Sequence, residues 1–454
     1  MTRAMVLALL LAAAQAWGQS PFAGSVPRGE VSPEALPLSL ENAIARGIQT
    51  NLGLILSQES ARAAEGGYLG VRSRLLPNLE ARIGESSQQV NLQAFGFSSF
   101  PGIPQIVGPF GVFDARVGLS QAIVDFKALR STQAASEGWR AARLSASDAR
   151  EMVALVVTDL YLSALAGSSR VVASEAQVGL AEALYRQARN LKDNGVAPAI
   201  DVLRAQVELQ SQRQRLIATR NEYQKQKLRL AHAIGLPDGQ VIRLTDALPE
   251  KPDLEVSFPE ALEQAYRERK DYQSALARVK AAELARRAAG ASRWPSLGFR
   301  GDYGTLGKSP VESHGTYLAA LNLSIPVFEG GRIKGEELEA DAALRPQRAQ
   351  AEELRARIAF EIRSAMLDLQ SARDQVEVSR SAVDLARQQE AQARDRFAAG
   401  VTNNLEVVQA QEALAASNEN HIASLYAYQA AKAALARAVG NAETSLPRTL
   451  MGAK

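Results

Sequence analysis

Gly195-Val196-Ala197-Pro198-Ala199-Ile200-Asp201-Val202-Leu203 is written a second time, 205 residues on, as Gly400-Val401-Thr402-Asn403-Asn404-Leu405-Glu406-Val407-Val408. The match extends outward without a gap. Leu180-Ala181, Ala188-Arg189 and Ala205-Gln206 recur as Leu385-Ala386, Ala393-Arg394 and Ala410-Gln411. Tyr223, Lys227, Leu230 and Gly235 recur as Tyr428, Lys432, Leu435 and Gly440. Upstream, at an offset of 218, Ala63-Ala64-Glu65 matches Ala281-Ala282-Glu283 and Pro77-x-Leu79 matches Pro295-x-Leu297. Leu119-Ser120 matches Leu323-Ser324 at an offset of 204. Chance likeness between Ala-rich helices does not place Gly, Pro and Tyr in register, so the chain holds two copies of one unit. Offsets change between the blocks, where loops tolerate changes of length.

Each copy reads as helix, strand, strand, helix, helix. A first helix (39–75, and 258–293) ends before Pro77 or Pro295. Two strands follow, then a very long helix (127–192, and 331–397). A glycine turn at Gly195 or Gly400 closes it, and a shorter helix (198–234, and 403–439) returns. The expected boundaries are a first repeat at 38–236, a linker at 237–257, a second repeat at 258–440 and a tail at 441–454. Pro346 lies inside the second long helix and predicts a kink or a break there.

The long helices carry a seven-residue apolar repeat: Val157, Ala164, Val171, Val178 and Tyr185 in one, Ile362, Leu369, Val376 and Val383 in the other. The second resumes at Phe397 after Glu390 interrupts it. That spacing is a coiled-coil seam. At 1.5 Å per residue, each helix is a rod of roughly 100 Å.

The strands alternate with period two. Leu79, Ala81 and Ile83 interleave with Glu80 and Arg82; Phe113, Ala115, Val117 and Leu119 with Asp114, Arg116 and Ser120. Leu297, Phe299 and Tyr303 interleave with Arg300 and Asp302; Tyr317, Ala319, Leu321 and Leu323 with Asn322 and Ser324. Such patterning suits a membrane strand with one face to lipid and a polar face to a lumen, and it also suits a half-buried soluble sheet. Four strands cannot close a barrel, and an open edge in lipid leaves backbone groups unpaired at several kcal/mol each. If the strands are in a membrane, several chains must share one barrel, and three chains supply twelve strands. Segments 90–110 and 306–314 are then loops at one barrel end.

Composition agrees. Among 454 residues 46% are hydrophobic and 22% charged, so the chain is neither disordered nor a bundle of apolar spans. The 52 basic residues against 49 acidic give a net charge of +3, which offers no basic footprint for nucleic acid. Arg3, the apolar run from Ala4 to Ala14 and Ala14-Gln15-Ala16 read as a signal peptide cleaved after residue 16, or after 18 at Ala16-Trp17-Gly18. Cysteine is absent. His232, His314 and His421 do not occupy equivalent places in the two copies, and no HExxH, GxSxG or phosphate-loop motif occurs. No catalytic, metal or cofactor residues are therefore expected. A soluble periplasmic coiled-coil scaffold or adaptor remains the alternative, although it leaves the four strands without a task.

The order of motifs resembles the TolC family of outer-membrane efflux proteins from about Leu38 to Gly440. The carriers are Leu40-Glu41-Asn42-Ala43-Ile44, Leu76-Pro77-Asn78-Leu79, Ser324-Ile325-Pro326-Val327-Phe328-Glu329-Gly330-Gly331 and the glycine-turn pair. The resemblance implies a homotrimer whose twelve-stranded β-barrel sits in the outer membrane and continues into a long α-helical coiled-coil tunnel in the periplasm. It implies a periplasmic adaptor docking on the helical tips, at Gly195, Val196, Gly400 and Val401. It also implies an inner-membrane pump or ATP-driven exporter that supplies the energy, and outer-membrane lipid around the barrel. Glu80, Arg82, Asp114, Arg116, Arg300 and Asp302 would line the lumen. In the family the tunnel is closed by acids six and nine residues after the second glycine, here Glu406 and Gln409. An Arg two residues after that glycine and a Tyr three before it latch the closure; here they are Thr402 and Phe397. Asp201 keeps the first-copy acid. The latch in this chain must therefore be built differently.

Overall fold

The computed structural model describes residues 22–96, 104–247 and 257–451. The expected signal peptide lies outside them. The elements are β1 (Leu36–Leu38), α1 (Leu40–Thr50), α2 (Leu52–Arg72), β2 (Asn78–Asn91), β3 (Ile106–Val124), α3 (Phe126–Asp193), α4 (Ala199–Ala233) and β4 (Ile242–Leu244). They continue as α5 (Phe258–Glu268), α6 (Lys270–Ala291), β5 (Ser296–Gly307), β6 (Ser313–Ser324), α7 (Arg332–Ala398), α8 (Asn404–Val439) and α9 (Ala442–Met451). The chain divides into two units. One takes the segments up to Glu59, Arg143–Gln273 and from Glu353 on; the other takes Ser60–Ala142 and Ser274–Glu352.

The second unit carries a four-stranded antiparallel sheet in the order β2-β3-β5-β6. The two copies meet at β3 and β5, in the register Val117↔Tyr303 and Leu119↔Gly301. Among the described residues both outer strands, β2 and β6, have one unpaired edge. The helical parts of this unit lock by side chains. Tyr68 stacks on Trp139 with ring centroids 5.5 Å apart, Ser274 Oγ donates to Ala141 O at 2.8 Å, and Lys280 pairs with Glu137 at 3.0 Å. The strands run into both expected loops, because β2 reaches Asn91, β3 starts at Ile106, and only 308–312 separate β5 from β6.

The first unit has the main core: Leu40, Leu54, Val153, Val157, Tyr161, Leu162, Leu230, Ile234 and Leu446 are all fully buried. The structure adds detail to four expectations. The segment read as a linker contains β4, which pairs in parallel with β1. Asp246 in the same segment accepts from Leu40 N and from the Tyr161 hydroxyl, both at 2.8 Å. The segment read as a tail forms α9, and Leu446 fixes it in the core. The first helix of each copy is two helices, broken at Asn51 (φ −64°, ψ 126°) and at Arg269 (φ −61°, ψ 120°). Packing imposes both breaks. Asn51 is fully buried, with its amide donating to Phe22 O and its Oδ1 accepting from Leu54 N. Arg269 is equally enclosed. The fourth concerns Pro346, where a kink or a break was expected: α7 runs through it without a break. Pro346 and Ala342, the residue whose carbonyl loses its N–H partner, are both exposed, so water can take the lost bond.

Candidate conduction surfaces: the polar sheet face and the helical tips

Alternation sorts the sheet into two faces. One row reads Leu79, Leu119, Gly301, Ala319 and the next Ala81, Val117, Tyr303, Tyr317 across the four strands. This face is mainly apolar, and many of its large side chains are bare: Leu79 is 74% exposed, Ile83 78% and Tyr317 81%. The opposite face is charged. Arg116 reaches Asp114 on its own strand at 2.5 Å and Asp302 on β5 at 3.1 Å, and Arg82 reaches Glu80 at 3.1 Å. Gly304, paired with Arg116, keeps the space open, since a Cβ there would collide with Arg116. Glu80, Arg82, Arg116, Arg300 and Asp302 line one cleft of about 360 Å³. Five of the six residues expected on the polar face therefore interlock as ion pairs, and Arg300 stands apart from them.

The two tips, α3 to α4 and α7 to α8, are built by the same turn. Gly195 (φ +75°) and Gly400 (φ +72°) are left-handed. Val196 N donates to Leu191 O at 2.8 Å and Val401 N to Arg396 O at 3.0 Å, the five-residue bond that closes a helix on glycine. That geometry leaves Val196 and Val401 on the outside, both largely exposed. Beneath them Leu184, Ala188 and Ala205 of the first copy pack with Ala393, Phe397, Val407 and Ala410 of the second.

The carboxylates differ between the tips. Asp201 is buried, and Arg204 lies 3.4 Å from it. Its backbone carbonyl accepts from the buried Asn404 side chain at 3.0 Å, tying the two tips together. Glu406 is half-exposed, accepts from Arg396 Nη1 at 2.9 Å, and also accepts from the Thr402 hydroxyl. Gln409, one turn on, is exposed. Phe397 is buried in the tip core. Arg396 and Asn404 escaped the sequence reading, although Arg396 sits beside Phe397 and one turn before the glycine closure, where a base can reach back over the turn.

The family model for outer membrane efflux proteins matches residues 55–236 and 261–441. The chain belongs to the outer membrane efflux protein family. Its members are efflux channels rather than enzymes, and the chain is accordingly a protein of the outer membrane that reaches into the periplasm. Solved structures share the fold at low identity. A membrane protein from Pseudomonas aeruginosa is 19% identical with a TM-score of 0.76, over 93% of this chain and 97% of that one. The outer membrane protein VceC from Vibrio cholerae is 17% identical with a TM-score of 0.75, over 88% and 96%. The CmeC outer membrane channel of Campylobacter jejuni is 15% identical with a TM-score of 0.75, over 94% and 92%. No curated protein matches the sequence.

Proposed function

We propose that three copies of this chain share one twelve-stranded barrel and form the exit duct of a tripartite efflux or type I secretion system. The duct conducts its cargo passively. The observation that carries this reading is the open sheet. Among the described residues β2 and β6 each present an unpaired edge, and one face exposes Leu79, Ile83, Tyr303, Tyr317, Leu321 and Leu323. In water that face would be an aggregation surface; in lipid it is satisfied, provided that the edges pair with neighbouring copies. Its charged opposite face then lines a lumen. The helices of three copies supply twelve rods for a tunnel, and the exposed Val196 and Val401 at their tips offer the docking points for a periplasmic adaptor. An inner-membrane pump or ATP-driven exporter supplies the energy.

The gate, on this reading, is a ring of three Glu406 carboxylates that repel one another and attract cations. Arg396 and Thr402 hold each of them within its own chain, in place of a latch built from the second-tip Arg and Tyr. The decisive experiment extracts the full-length protein and measures its mass and conductance. The expected result is detergent-dependent solubility, a trimer, and a bilayer conductance whose cation preference falls on Glu406→Ala. A monomer that stays soluble without detergent would end the channel reading, and an unchanged preference in Glu406→Ala would remove Glu406 from the gate.

A further inference from the structure

The polar sheet face is layered by charge. Counting from the end where β2 leaves the helices, the first row is Asn78, Ser120, Arg300 and Ala320, and the second is Glu80, Gly118, Asp302 and Leu318. The third is Arg82, Arg116, Gly304 and Thr316, and the fourth carries Asp114. Same-face rows lie about 7 Å apart, so rows of opposite sign fall within ion-pair reach of one another. Rows two to four use that reach fully: Glu80 takes Arg82, and Asp302 and Asp114 share Arg116.

Arg300 is the exception. It is exposed, and no acidic side chain among the described residues pairs with it. It lines both the cleft of about 360 Å³ above it and a second of about 300 Å³ below it. The second cleft adds Arg74, also without an acidic partner among the described residues, with the neutral donors Asn78, Ser120 and Asn322. Its one carboxylate, Asp125, already accepts from Ala128 N at 2.8 Å, capping α3. The lower cleft therefore sets two guanidinium groups against one engaged carboxylate.

We propose that Arg300 is the specificity-determining residue of the barrel: an anion-binding position that, repeated in three copies, selects solutes carrying oxyanion groups. This rests on the channel reading, which places the polar face toward the lumen. A guanidinium presents a planar fork that matches carboxylate and phosphate oxygens, and the neighbouring amides and hydroxyl add donors. The paired rows cannot do the same work, because their charges are already spent on each other. The barrel would then oppose in sign the acidic ring proposed at the tips.

Inorganic tripolyphosphate is the probe, applied to the full-length protein in planar bilayers. The expected result is a concentration-dependent block that weakens about tenfold in Arg300→Gln, a change of about 1.4 kcal/mol in probe binding. Arg300→Lys, which keeps the charge, should retain most of the block, and added salt should relieve it. The trimer of Arg300→Gln should melt like that of the parent. Conductance with an unchanged block in Arg300→Gln overturns this inference alone. A less stable Arg300→Gln trimer with an unchanged block would assign Arg300 to subunit pairing and overturns it too. The absence of trimer and conductance in the parent overturns the channel reading, and this inference with it.

Discussion

Arg269 is the residue on which the second copy turns. Its side chain is 4% exposed and holds Asp271 through two bonds, at 3.1 and 2.7 Å, while Nη1 reaches Glu361 at 2.5 Å and Ala438 O at 3.3 Å. Beside it Arg437 binds Asp148 at 2.6 Å. The two aspartates respond oppositely. Burial pushes Asp148 up, and Arg437 only partly offsets it. Burial acts on Asp271 in the same direction, but the bonds and charge of Arg269 overcome it and hold Asp271 below its ordinary 3.8. Asp271 therefore contributes stability above the unfolded value, and loses it as the pH falls through the depressed one. Asp148 has the reverse sign: its burial penalty is relieved as the pH falls through the raised value. Replacing Arg269 by Met takes the guanidinium from the partly buried Asp271, which keeps only the Tyr272 N–H, and from Glu361, which keeps Arg357 at 3.8 Å, and should cost about 3 kcal/mol at pH 7. Below pH 3.8 the loss should shrink as Asp271 takes up its proton. Thermal unfolding in detergent at the two pH values checks this; equal melting of parent and Arg269→Met at pH 7 would leave the cluster without an energetic role.

At the scale of the elements, the same device occurs twice. Gly440 (φ +94°) caps α8, and a Cβ there would lie 2.9 Å from Arg269 N; Gly235 (φ +63°) follows α4, and a Cβ there would lie 2.6 Å from Thr50 Cβ. Each helix break thus seats a glycine from the returning helix of its own copy. The tip glycines are different, since Gly195 has the same handedness and nothing within 4 Å of its missing Cβ. Gly195→Ala should cost about 1 kcal/mol of left-handed strain. Gly440→Ala should cost about 3 kcal/mol, because the strain adds to a backbone collision. Melting curves that rank the two variants equally would refute the contact argument. The repeat was legible because glycine and proline carry steric rules that survive in register. The breaks at Asn51 and Arg269 were not, because neither residue is a helix breaker and the cause lies in packing against residues distant in sequence. Similarly, alternation assigned Arg116 and Asp302 to one face. Their ion pair depends on the register of β3 against β5, which no local pattern encodes.

At the scale of the whole molecule, the proposed trimer needs seams between chains. Along α7 the inward positions Ile358, Ile362, Ala365, Ala372, Ser379, Val383, Ala386, Glu390, Ala393 and Phe397 are buried at heptad spacing. On the opposite side Phe360, Leu367, Val378 and Leu385 form a second stripe that is exposed, Phe360 to 72%. Helix α4 has its own: Leu203, Val207, Gln210, Gln214, Ile217, Asn221, Gln224 and Leu228 alternate by four and three, all exposed and none charged. Ordinary surface helices carry charged residues on their outer faces, and Arg204, Arg213, Arg215, Arg220, Glu222 and Arg229 do so beside this stripe. An uncharged heptad stripe flanked by charge is a seam awaiting a partner, and in an assembly of identical chains the partner is another copy. Val207→Lys with Ile217→Lys places two ammonium groups in that seam, and little of either side chain is buried within the chain. The expected outcome is loss of the trimer in detergent with helical circular dichroism retained. A trimer that persists would move the subunit boundary off α4 and leave the open edges of β2 and β6 as the remaining ground for assembly.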